Sequence, residues 1–240
     1  MLFLHPKPLP RRNCSTAFSL IEMLIVLSIV SMLLVFAAPA LNGVLNAYRL
    51  SSAGDSMMGL ISEAQQLASS SNKPIEMRFF KYGDEFGGNA SYRACMLFRV
   101  DQAVQGTGAS ATTSERLVPQ GNLIKLPAGT LLVADQDFSP LLDGDGQKDT
   151  AEGKPLGYSG VEGATFMALR FMTDGSCRQV VTQSSGVPFA QLAYKTLNQS
   201  YFTIVIDQGG GVSIKNLPKN FYTIQIDPFT SKARSYKPGV

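Results

Sequence analysis

From Met23 to Leu41 the chain reads MLIVLSIVSMLLVFAAPAL, without a charged residue, and the residue just before this run is the carboxylate Glu22. Nothing else in the sequence restricts the fold so much. A helix needs about 20 apolar residues to cross a bilayer core, and this run has that length. An acid at the centre of such a helix costs about 2.5–3.5 kcal/mol on insertion scales and less near the interface. Glu22 therefore either reaches back to water or has a partner. Lys7, Arg11 and Arg12 precede the run, so the positive-inside rule sets the N-terminus in the cytoplasm and everything after Leu41 outside.

Those three cations account for the net charge. The chain holds 21 Lys and Arg against 18 Asp and Glu, and the three before the apolar run are the whole excess. A neutral body has no electrostatic reason to hold a polyanion, and no nucleic acid partner is expected. Lys215, Lys219, Lys232, Arg234 and Lys237 give the C-terminal end only a modest positive bias. The single histidine, His5, also lies upstream. The body thus lacks the commonest general base and metal ligand, which excludes His-based triads and His-ligated zinc there. The expectation is a protein that is not an enzyme. Cys14 belongs to the basic segment, while Cys95 and Cys177 belong to the body. They are a candidate disulfide if the body is exported, and two buried thiols otherwise.

Helical periodicity continues past the apolar run. Leu50, Ala53, Met57, Leu60, Ile61, Ala64, Leu67 and Ala68 recur at three- and four-residue steps, with Arg49, Asp55, Glu63 and Gln66 mostly off that stripe. SSSNKP (69–74) is a stop signal. One helix is predicted from about Ser19 to Ser70, bent at Pro39 and spanning roughly 75–80 Å. The other reading is two helices meeting near Asn42. After Pro74 the grammar turns to strands. IEMRFF (75–80), YRACMLFRV (92–100), TLLVA (130–134), TFMALRFM (165–172), RQVVTQ (178–183), YFTIVID (201–207), GVSIK (211–215) and YTIQID (222–227) are all strand-like. TDGS (173–176) and DQGGG (207–211) read as turns between strands. Alternation at Phe202, Ile204, Ile206 and at Tyr222, Ile224, Ile226 implies one buried and one exposed face. The predicted fold is α+β, a long N-terminal helix packed on a mostly antiparallel sheet.

Two stretches read as loops. Residues 102–116 are small and polar, the composition of a mobile segment. Residues 135–157 are acidic and turn-rich, with Asp143, Asp145 and Asp149 at short intervals. Closely spaced oxygen ligands suit Ca²⁺, but Lys154 stands where an EF-hand places its closing Glu. The competing reading is a solvated acidic turn, and no other cofactor is expected.

Three processing routes fit the N-terminal segment. A plain anchor explains its length and basic flank but gives Glu22 no purpose. A signal peptide finds an A-x-A-like site in AAPA (37–40), with cleavage after Ala40, although signal cores usually run 7–15 residues. The third route comes from a resemblance. AFSLIEMLIVLSIV (17–30) resembles the start of type IV pilins and type II secretion pseudopilins. That resemblance implies cleavage between Ala17 and Phe18, N-methylation of Phe18 and a glutamate fifth in the mature chain, which is Glu22. Pro39 stands where the family tends to have a kinking proline. Ala17 departs from the family's usual glycine before the cut. LRFMTDGSCRQ and YTIQIDPFTSKARSYKPG loosely resemble the minor pseudopilin family GspH/FimT, and AFSLIEMLIVLSIVS is similar to a family of verrucomicrobial cassette proteins, cassette protein D.

The resemblance implies a leader (1–17), a transmembrane and filament-core helix (18–41), an amphipathic helix (42–72) and a β-rich exported body (73–240). It implies a structural subunit held as a single pass in the inner membrane, body in the periplasm, and then built into an envelope filament or secretion pseudopilus as a minor subunit. Its partners would be other pilin-like subunits and a prepilin peptidase. In that setting the new α-amino group of one subunit can meet Glu22 of the next, since opposite charges attract far more strongly in apolar surroundings than in water. The alternatives are a static membrane-anchored binding module and an enzyme released after Ala40.

Overall fold

A computed structural model describes residues 19–82, 90–105, 112–144, 146–148, 164–182, 189–207 and 219–238. The chain divides into two units, Met1–Val44 and Leu45–Val240. Helix α1 runs over Leu20–Ser71. It stops where the sequence says it should. Asn72 takes φ 50°, a left-handed turn that asparagine tolerates better than most residues, and Pro74 follows.

The described strands form one antiparallel sheet. They are β1 (Ile75–Tyr82), β2 (Ser91–Gln105), β3 (Thr112–Lys125), β4 (Thr130–Leu132), β5 (Gln147–Lys148), β6 (Thr165–Phe171), β7 (Cys177–Thr182), β8 (Gln191–Ala193), β9 (Tyr201–Ile206), β10 (Phe221–Ile226) and β11 (Ala233–Tyr236). Their order is β11-β10-β9-β4-β2-β1-β6-β7-β8, with β3 added to β2 and β5 to β6. The α+β arrangement expected from the sequence is present. The β6–β7 turn is the expected one. Gly175 takes φ 84°, Ser176 O accepts from Met172 N at 2.8 Å, and the Asp174 carboxylate accepts from Ser176 N at 2.8 Å.

One face of the sheet packs on the second half of α1. Leu50, Ala53, Met57, Leu60, Ile61, Ala64 and Ala68 form the helical stripe, and they meet Met77, Phe79, Leu97, Leu169, Phe171, Phe202, Ile204 and Ile224 in one cluster. Gly54 belongs to the same surface. A Cβ there would lie 2.3 Å from the Tyr222 ring. The glycine that weakens the helix in isolation is what lets the sheet come close.

The opposite face of the central strands is buried as well. Phe80, Met96, Phe98, Val100, Leu117, Phe166, Ala168 and Val180 form a second cluster. The strict alternation expected of a one-sided sheet therefore holds for β10, whose buried and half-buried residues alternate, but not for β9. There Thr203 and Val205 are covered too. The Asp135–Leu142 turns lie beside them: Thr203 Oγ1 donates to Phe138 O at 2.6 Å, and Thr203 N donates to Ser139 Oγ at 2.9 Å.

Two expectations are corrected. Residues 102–116 are not one polar loop, because β2 continues to Gln105 and β3 begins at Thr112. The ladder between them pairs Val100 with Leu117 and Gln105 with Thr112. Polar residues occupy a ribbon here because its inward charge, Glu115, has an ion-pair partner on another strand. The second correction concerns the thiols. Cys95 and Cys177 are free and buried. They lie on β2 and β7, with β1 and β6 between those strands. Three interstrand steps of about 4.8 Å exceed the Cα separation of roughly 4.4–6.8 Å that a disulfide bridges. Strand GVSIK (211–215) and turn DQGGG (207–211) fall largely outside the described residues.

Candidate functional site

The site built by the N-terminal segment starts at Ser19. Its carbonyl accepts from Glu22 N at 3.1 Å and from Met23 N at 3.2 Å, which makes it the first acceptor of α1 among the described residues. Glu22 lies in the first helical turn. Ser-x-x-Glu at a helix start has the spacing of a capping box, and an acid in the first turn suits the positive end of the helix dipole. That signal stands in the sequence beside the apolar run, and it offers Glu22 a place at the helix start independent of any partner subunit.

Beyond Glu22 the helix surface is apolar all round. Leu20, Ile21, Met23, Leu24, Ile25, Val26, Leu27, Ile29, Val30, Met32, Leu33, Leu34 and Val35 are all exposed. The two serines within this stretch are exposed but bond their own backbone. Ser28 Oγ donates to Ile25 O and Ser31 Oγ to Leu27 O, each at 2.8 Å. Hydroxyls bonded to their own helix have their donor satisfied without a partner from the surroundings. Glu22 is left as the one ionisable group between Leu20 and Val35. A helix apolar on every side needs lipid or other helices around it. Leu41, Val44, Leu45 and Tyr48 are exposed as well, and continuous burial of the stripe begins at Leu50.

Several expected residues lie outside this description. Ala17 and Phe18 are outside the described residues. The backbone is helical through Pro39, whose side chain is among those not described. Among the described residues no helix is long and apolar enough to cross a membrane. The expected span, 23–41, includes residues 36–40, whose side chains are likewise outside the description. Of the three aspartates with calcium-like spacing, Asp143 is exposed, whereas Asp145 and Asp149 are outside the described residues. Among the described residues no group of three or more acidic, histidine or cysteine side chains is placed to hold a metal. Asp135 does turn chemistry instead: its carboxylate accepts from Asp137 N at 2.9 Å and its carbonyl from Ser139 N at 2.7 Å.

Sequence reasoning passed over a buried ionic cluster on the second face of the sheet. Arg170 donates through Nη2 to Glu76 at 2.6 Å and through Nη1 to Glu115 at 2.7 Å, and Arg78 Nε donates to Glu76 at 2.8 Å. The Arg78 guanidinium also lies 4.0 Å from the centroid of the Phe166 ring. Burial pushes the Glu76 carboxyl up, but the two guanidinium groups outweigh it and hold it below its usual range. An acid fixed in its ionised form between cations is a strut rather than a proton carrier. The signal for half of it was Glu76 and Arg78 two apart in one strand, on the same face. Glu115 and Arg170 gave none, being far apart in the chain.

The comparisons agree with the N-terminal geometry and add nothing for the body. No curated protein and no solved structure matches the chain. The family model described as the prokaryotic N-terminal methylation motif matches residues 12–38. That stretch includes Ser19, Glu22 and most of the apolar helix surface, and the chain therefore carries at its start a prepilin-type methylation signal of the kind that marks pilin-like proteins.

Proposed function

We propose that this chain is a pilin-like structural subunit that a prepilin peptidase cuts between Ala17 and Phe18 and that assembles through α1. The observation that supports it most is the coincidence of two things. The methylation motif covers 12–38, and the helix in that stretch is apolar on every side with a single carboxylate in its first turn. In this reading Met23–Leu41 holds the subunit in the inner membrane with its body in the periplasm, then becomes filament core. The subunit joins a filament or a secretion pseudopilus as a minor component, beside other pilin-like subunits.

Glu22 sets the axial register. Cleavage before Phe18 leaves a new α-amino group four residues from Glu22, and the carboxylate of one subunit pairs with the amine of its neighbour. An unpaired charge in an apolar bundle is penalised, so subunits stop sliding where the pair forms. The Ser19-x-x-Glu22 spacing at the helix start supports a second role, in which Glu22 only starts the helix.

Substitution separates the two roles. Glutamine serves a capping box as glutamate does, but carries no charge. Membrane fractionation and recovery of sheared filaments are compared for Glu22→Gln and Glu22→Ala in cells with an active prepilin peptidase. The register role requires both variants to insert normally and both to be lost from filaments. Incorporation of Glu22→Gln at the wild-type level would leave Glu22 with the capping role alone.

A further inference from the structure

In the strand order, β10 and β7 are separated by β9, β4, β2, β1 and β6. Six steps of about 4.8 Å would hold them roughly 29 Å apart in a flat sheet. They are nevertheless in contact. Cys177 N, at the start of β7, donates to Pro228 O, just after β10, at 2.8 Å. Ser231 Oγ donates to Gly175 O in the β6–β7 turn at 2.7 Å. Ser231 O in turn accepts from the Gln65 amide of α1. Tyr194, just after β8, stacks on Phe229 with centroids 6.0 Å apart and planes 21° from parallel. The Arg178 guanidinium lies 4.5 Å from the Tyr194 centroid. The sheet therefore curls around the second half of α1, and its two ends meet.

We propose that the segment Asp227–Ser231 is a latch that closes the curled sheet on α1 and opens as a unit, ahead of the rest of the body. The segment is built to hold its own shape. The Asp227 carboxylate accepts from Phe229 N at 2.9 Å and from Thr230 N at 3.3 Å. Ser231 N donates to Asp227 O at 2.7 Å, and Asp227 N to Lys232 O at 2.9 Å. Ser231 is buried and takes φ 56°, a conformation a residue with a Cβ keeps only when its surroundings fix it. Here they do so through Gln65 and Gly175.

The join carries no strand ladder. Neighbouring strands in the ring pair directly, from the eight positions between β1 and β2 down to the single position, Tyr92 with Leu132, between β2 and β4. Across the latch the described contacts are one backbone bond, the Ser231 hydroxyl, the Gln65 amide on Ser231 O and one stacked pair. Local opening follows the lines with the fewest buried contacts. Opening there releases Gln65 and uncovers the end of the α1 stripe without breaking the central ladders.

Two native thiols report on it. Cys177 sits at the latch, and its amide makes the closing bond. Cys95 sits on β2, in the middle of the sheet, fully buried. Burial pushes the Cys177 thiol up to about 12, so it is nearly inert while covered. The full chain in detergent is treated with N-ethylmaleimide at neutral pH, and labelling is followed at each cysteine by peptide mass mapping. Asp227→Ala, which removes the acceptor for two turn amides, is expected to raise the Cys177 rate at least tenfold and leave Cys95 unchanged. Phe229→Ser removes only an exposed ring and is expected to raise it severalfold. It decides the matter alone if Asp227→Ala fails to fold. Equal acceleration at Cys177 and Cys95, or none at Cys177 in the folded variants, would overturn the latch.

Discussion

The ring of Tyr222 lies directly on Gly54, where any Cβ would fall 2.3 Å from it. The ring has nowhere to go. It is buried, its hydroxyl donates to Asp55 at 3.1 Å, and the Lys237 ammonium lies 4.7 Å from its centroid. Helix and sheet are thus in register at one glycine. Gly59, in the same helix, has nothing within 4 Å of its missing Cβ. Urea titration of the full chain should separate them. Gly54→Ala is expected to cost about 1–3 kcal/mol through overpacking. Gly59→Ala is expected to gain up to about 1 kcal/mol through helix propensity. Equal effects would mean that the close contact carries no energy.

Acid should act through Glu76. Its carboxyl is held below the ordinary value of 4.5 when folded, by Arg78 and Arg170 acting against burial. The unfolded chain then binds a proton before the folded one does. The stabilisation is complete above about pH 4.5 and is lost as pH falls through the lower folded value. Glu76→Gln removes the charge that two buried guanidinium groups share, although Arg170 keeps Glu115, and is expected to cost up to about 3–5 kcal/mol near neutrality. The variant should also show a flatter acid limb in stability measured from pH 6 down to pH 3. An acid limb identical to that of the wild type would place the acid sensitivity elsewhere.

Much of the architecture is local in origin and so was readable. The predicted helix, Ser19–Ser70, appears as Leu20–Ser71, because its stripe and its Asn72–Pro74 stop are contained in neighbouring residues. The strands of β1, β2, β6, β7, β9 and β10 appear within a few residues of their expected limits, apart from the extension of β2 to Gln105. What escaped is non-local. β3 looks like a loop because the residue that orders its first half, Glu115, answers Arg170 on another strand. Glu76 and Arg78 look like a solvent face because nothing nearby in sequence shows that the face is covered. Gly54 looks like a defect until Tyr222 is in view. At the N-terminus the balance is reversed. The carboxylate and its apolar run stand out in the sequence, and the Ser19–Glu22 spacing beside them was there to be read.

The β6–β7 turn offers a cleaner test of backbone chemistry. Gly175 takes φ 84° with open space around its missing Cβ. Gly175→Ala therefore meets no clash and pays only for the left-handed conformation, about 1–2 kcal/mol. The urea midpoint should fall accordingly with an unchanged m-value. A variant as stable as the wild type would show that the turn relaxes to another type.

The most direct test of the central claim is the intact mass of the native N-terminus, measured on protein isolated from cells with and without an active prepilin peptidase. The account predicts a chain that begins at N-methylated Phe18 when the peptidase is present and retains residues 1–17 when it is absent. A chain that still begins at Met1 with the peptidase active, or one that begins at Leu41 in either case, would contradict it.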